Sequence, residues 1–216
     1  MKKVLLSLTM LAIISTPVLA KSPVANLKIN GDIKPPTCTI NGATQSDVIF
    51  DYGVISPTLI PQSTVYSYSD IGVQNTVTIE CDAKTYLTFT ASDTYADTEL
   101  SVNNTSGWFH LVDKANPETA VGAAFFAWDN VTVDSKPAYI SRANDVAITG
   151  NKFNNVLYKG PTNGWTSEQQ SDINKNSLSL ISGEIFQASF RQGMTMSTFI
   201  LSRDELSKKG IDLSNG

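Results

Sequence analysis

The chain of 216 residues carries one histidine and two cysteines, and only 17% of its residues are charged. A lone histidine, His110, cannot build a histidine cluster for a metal. No G-x-S-x-G, H-E-x-x-H or C-x-x-C pattern accompanies it, and no glycine-rich phosphate loop is present. The sequence therefore offers no constellation for catalysis, and neither an enzyme nor a cofactor is expected. Sixteen basic residues stand against twenty acidic ones, for a net charge of −4, and the bases do not cluster. That argues against nucleic acid, whose binding needs grouped Lys and Arg to neutralise phosphates. Past residue 20 no apolar run approaches the eighteen residues a spanning helix needs. Internal repeats and low-complexity runs are also missing.

What is present begins with an export signal. Lys2 and Lys3 precede an apolar run over 4–14, then Thr16-Pro17 breaks it and Val18-Leu19-Ala20 supplies a cleavage site. Residues 1–20 read as a signal peptide, and their removal takes the net charge from −4 to −6. Both cysteines, Cys38 and Cys81, lie in the exported part. Far apart in sequence, they read as one structural disulfide in an oxidising compartment.

The mature chain is rich in Thr, Ser, Asn, Val and Ile, which favour strands and turns. Period-2 alternation predicts strands over 27–33, 77–81 and 87–91, and further strand candidates are 48–52, 108–112, 123–128, 146–149, 156–159, 178–181 and 185–190. Turn signals separate them at Asn30-Gly31, Asn41-Gly42, Ser106-Gly107, Gly150-Asn151, Asn163-Gly164 and Ser182-Gly183. Many short strands at this spacing predict an all-β sandwich or barrel. Two short helices are expected at capping boxes starting at Ser167 and Ser202, the second stopped by Gly210. The stretch 160–171 reads as a polar loop, and 194–201 as the last strand.

The informative segment is 25–40, in which Leu27, Ile29, Gly31 and Ile33 share one face, Lys28, Asn30, Asp32 and Lys34 the other, and Cys38 comes next. It resembles the start of mature chaperone–usher fimbrial subunits, where an alternating N-terminal extension runs into a first strand carrying a cysteine. The second cysteine stands in Thr76-Val77-Thr78-Ile79-Glu80-Cys81, as in the second strand of those subunits. The same arrangement, with 48–55 between the cysteines, is similar to a less studied family of exported proteins associated with fimbrial operons. The likeness runs from residue 25 to about 91.

That resemblance implies an immunoglobulin-like, pilin-type sandwich over 35–216, preceded by an extension, 21–34, that donates a strand to a neighbouring subunit. Leu27, Ile29 and Ile33 would plug the neighbour's groove, and Gly31 would sit where the groove is shallow. The implied role is a structural or minor subunit of a fimbria, supporting adhesion, carried from periplasm to cell surface. The implied partners are other fimbrial subunits, a periplasmic chaperone and an outer-membrane usher. Those subunits finish on a tyrosine-bearing strand, which this sequence does not show, so chaperone dependence is open. The alternatives are a glycan-binding fimbrial adhesin with host glycan as partner, or a self-contained exported sandwich whose own first strand is 25–33. For the glycan reading Trp165, in the polar stretch, is the candidate contact, whereas Trp108 and Trp128 read as core. His110 reads as structural. Asp93, Asp97 and Glu99 read as a solvated acidic loop, since they lack the spacing of a calcium site.

Overall fold

The computed structural model describes residues 35–51, 53–68, 74–100, 105–192 and 198–213. The four candidate plugs, Leu27, Ile29, Gly31 and Ile33, lie outside them. In chain order the strands are β1 (Cys38–Ile40), β2 (Tyr66–Tyr68), β3 (Gln74–Tyr86), β4 (Thr88–Thr90), β5 (Trp108–Val112) and β6 (Ala120–Val133). After these come β7 (Lys136–Pro137), β8 (Tyr139–Ala143), β9 (Thr162–Thr166), β10 (Ser171–Ile173), β11 (Ser182–Gln192), β12 (Thr198–Ile200) and one short helix, α1 (Arg203–Lys208). Among the described residues these strands form two sheets. One has the order β1-β3-β11-β6-β12-β2, with β5 and β7 also paired to β6; the other has the order β10-β8-β9-β4.

The sheets pack face to face. Trp128 and Val133 on β6 and Phe186 and Ala188 on β11 meet Ile140 on β8 and Trp165 on β9 in one core cluster. An aromatic edge crosses between the layers, the Trp165 ring lying 5.5 Å from Phe186, and within its own sheet Trp165 lies 5.4 Å from Phe89 on β4. Such pairs add about 0.5–1.5 kcal/mol each to their area burial. The all-β sandwich expected from the alternation is the fold observed, and Cys38 is bonded to Cys81.

Strand β6 is the hub of the larger sheet. Gly122 and Ala123 pair with Leu111 and His110 of β5 on one side and with Ile200 and Phe199 of β12 on the other. Farther along, 126–133 pair with β11. Gly122 is required by this crowding, because a Cβ there would fall on the carbonyl oxygen of Phe199. A second core lies beside this end of β6, formed by Ile60, Ala123, Phe199, Leu201 and Leu206. Helix α1 closes it. Ser202 caps the helix by accepting the Glu205 N–H, Gly210 stands beyond it at φ +78°, and Arg203 donates to the carbonyls of Ile60 and Pro57. The helix start expected at Ser202 is therefore observed.

Several expectations are corrected. No helix starts at Ser167: the Glu168 carboxylate accepts from Ser179 Oγ and the Gln170 side-chain carbonyl from Ser179 N, and these bonds hold the chain extended into β10. The supposed polar loop 160–171 contains β9. Its polar side chains are buried and bonded, Thr166 Oγ1 to Ser141 Oγ at 2.6 Å and Asn163 Nδ2 to the Pro161 carbonyl at 3.0 Å. Residues 146–149 form no strand and are mostly exposed, while 156–159 and 178–181 contribute isolated bridges.

Replacing Gly122 by alanine is expected to cost about 2 kcal/mol and lower the thermal midpoint by about 4–8 °C, measured by circular dichroism. Replacing both cysteines by serine is expected to cost about 4 kcal/mol, because the bridge closes a loop spanning 43 positions; urea denaturation of the double variant measures it.

Candidate functional site

A strand carries two rows of N–H and C=O groups, and a sheet edge that leaves one row open invites another chain. On one side β3 is paired with β11 along most of its length. Its other side is covered by β1 through Cys38↔Cys81, Thr39↔Glu80 and Ile40↔Ile79. Flanking bonds run from Asn41 N to the Thr78 carbonyl and from Asp82 N to the Thr37 carbonyl. The chain then turns through Asn41 and Gly42, at φ +49° and +80°, and leaves β3.

Beyond that turn the backbone runs extended, with no partner strand among the described residues. Across 46–51, Ser46, Val48 and Phe50 are half-buried while Asp47, Ile49 and Asp51 are exposed, an alternation that only extended backbone gives. Of the strand expected over 48–52, the described residues 48–51 are extended but form no paired strand with the other described residues. Among the described residues no backbone group of 46–51 pairs with a strand. The Ile49 carbonyl accepts from Asn75 Nδ2 at 2.8 Å, and the Asp51 carboxylate accepts the Gly53 N–H at 2.8 Å. Phe50 anchors the segment, its ring 4.8 Å from Phe126, which in turn lies 5.8 Å from Phe109. Ile49 is 72% exposed and Val54 fully exposed. The segment is apolar on its inner face and carries two aspartates on its outer one.

Residues 27–126 match the model of a family described as a protein of unknown function (DUF1120). No curated protein and no solved structure matches the chain. The matched stretch holds the alternating leader from Leu27 on, both cysteines, the unpaired segment and β6 as far as Phe126. It stops short of β7 to α1, which build much of the second layer and the closure of the second core.

The remaining candidates fall elsewhere. Cys38 and Cys81 pin β1 beside the unpaired segment. Trp165 is corrected: at 2% exposure its ring fills the core between Phe89 and Phe186 and offers no face to a sugar. Composition misplaced it, because the polar residues around it are themselves buried. Trp128 is core, and Trp108 packs on Phe199 at 5.0 Å. His110 is buried, its Nδ1 donating to the Tyr95 carbonyl at 2.8 Å. Asp93 departs from the solvated loop expected of it. Its carboxylate is 3% exposed, accepts the N–H groups of Tyr95 and His110, and lies 3.6 Å from Lys159 Nζ. Asp97 and Glu99 are exposed as expected. Among the described residues no three His, Cys, Asp or Glu side chains gather to hold a metal ion.

Two surface carboxylates are held below their ordinary value of 3.8 by the bonds they accept. Asp134 takes the N–H groups of Ile185 and Glu184, and Asp145 takes the hydroxyl and N–H of Thr162. A folded-state value below the unfolded one means the stabilisation is complete above the ordinary value and is lost as pH falls through the depressed one. Urea midpoints are expected to drop below about pH 4, and an Asp134→Asn, Asp145→Asn variant to show a shallower drop; equal slopes would refute that assignment.

Proposed function

We propose that this protein is an exported structural or minor subunit of a fimbria that assembles by strand donation and so supports adhesion. The observation that carries the reading is the extended segment 46–51, unpaired among the described residues, with Ile49 exposed and Phe50 anchored in the fold. A visiting strand would satisfy such an edge with backbone bonds and place alternate side chains on its apolar side. The sequence supplies a matching visitor in 21–34, set between the export signal and the pinned edge strand β1. A disulfide fits the oxidising route to the cell surface. A periplasmic chaperone and an outer-membrane usher would handle the subunit before it polymerises.

A self-contained exported sandwich is the second reading, and the chain's C-terminal side favours it. There β12 is paired on both sides and α1 seals the second core with residues of the same chain. The glycan-binding reading loses its candidate contact with the burial of Trp165.

Deleting residues 21–34 behind an intact signal peptide decides between assembly and self-containment. The expected result is exported monomer with incorporation into surface polymer reduced to background, measured by immunoblot of shed fimbriae. Normal incorporation of the deletant would rule out strand donation.

A further inference from the structure

We propose that the strand received by the 46–51 edge is the leader of a second copy of this chain, in one antiparallel register fixed by charge and by Gly31. The proposal rests on the strand-donation reading above and adds the acceptor, the partner and the register. Charge points to the occupant. The leader, residues 21–34, carries Lys21, Lys28 and Lys34 against Asp32 and is net +2 in a mature chain of net −6. The stretch 44–56 carries Asp47 and Asp51 and no base. Opposite charges face each other across the proposed joint.

Side-chain alternation then narrows the register. The leader's apolar set must share a face with the inner Val48 and Phe50, which places its Lys28, Asn30, Asp32 and Lys34 beside the outer Asp47, Ile49 and Asp51. In an antiparallel pair this leaves steps of two residues. One such step sets Lys34 opposite Asp47, Ile33 opposite Val48, Asp32 opposite Ile49, Gly31 opposite Phe50 and Asn30 opposite Asp51. Lys28 then lies diagonal to Asp51, within reach of a long side chain. A step either way sets Asp32 against Asp47 or Asp51, a like-charge clash that destabilises a pair. The favoured register also puts the one residue without a side chain across from the bulkiest inner residue of the edge.

The test uses full-length chains with the charges exchanged, an Asp47→Lys, Asp51→Lys variant and a Lys28→Glu, Lys34→Glu variant, assayed by detergent-resistant ladders of surface protein. Each variant alone is expected to give about tenfold less ladder than the unaltered chain, since repulsion replaces attraction at two positions. Co-expression of the two should restore the ladder to within about twofold, because each variant's leader then matches the other's edge. Thermal midpoints of the monomers, expected to stay near the unaltered value, separate this from misfolding. Wild-type ladder from either variant alone, or no restoration on co-expression, overturns the proposal; the second result is what a leader folded onto its own edge would give. Unaltered chains that form no ladder would sink strand donation itself, whereas ladders indifferent to the charges would sink the acceptor assignment alone.

Discussion

Backbone pairing along β6 is the constraint on which the rest of this structure depends. Its N-terminal half is clasped by β5 and β12, its C-terminal half by β11 and the β7 hairpin, and each half carries its own hydrophobic cluster. At Gly122 and Ala123 the strand is paired on both sides, by β5 and by β12. Gly122 permits this by letting the Phe199 carbonyl approach where a side chain would stand. Buried polar groups elsewhere serve the same end. Arg142, 1% exposed, donates to the Phe153 carbonyl and stacks 4.7 Å from the Tyr158 ring, tying the long excursion after β8 back to the sandwich. Burying that charge costs several kcal/mol of desolvation, offset here by the ring, the carbonyl and Asp172 at 3.6 Å.

Against such thorough pairing, the open backbone of 46–51 is informative. An unpaired group exposed to water costs little, so the segment does not destabilise the monomer; the hazard is uncontrolled edge association. Proteins blunt edges with charge, and Asp47 and Asp51 fit that use. Under the proposed assembly the same two aspartates would also discriminate, since an acidic edge repels acidic strands and admits a basic one. Protection and recognition would then be the same chemistry, which is why a leader of opposite sign in the same polypeptide bears on the proposal.

Much of the fold was legible in the sequence. Where short apolar-rich runs stand near turn signals, as in Trp108–Val112 and over 185–190, strands appear where those runs placed them. The Ser202 cap and Gly210 likewise marked α1, because capping is local chemistry. Legibility failed where burial was polar. Asn163 and Thr166 read as loop residues, yet a local bond to the Pro161 carbonyl for the one and a tertiary bond to Ser141 for the other let them sit in the core, with Trp165 between them. The candidate site was half legible. Strand-favouring residues marked extended chain correctly over 48–51, but hydrogen-bond pairing depends on a neighbour that no local pattern encodes.

The disulfide explains why that neighbour can be left out. Strand β1 pairs over three residues, too few to hold an edge strand by backbone bonds alone. Cys38 and Cys81 are direct cross-strand partners, so the covalent link sits at the first pair of β1 and fixes its register against β3. From that fixed point the chain turns at Asn41-Gly42 and, a few residues on, Phe50 pins it again on Phe126. Among the described residues the edge between these two anchors is positioned by a covalent bond and an aromatic contact, not by a strand lying alongside it. A strand docking on an edge held at both ends, as the proposed assembly has it, would meet less of the entropy cost of ordering than one docking on a free loop.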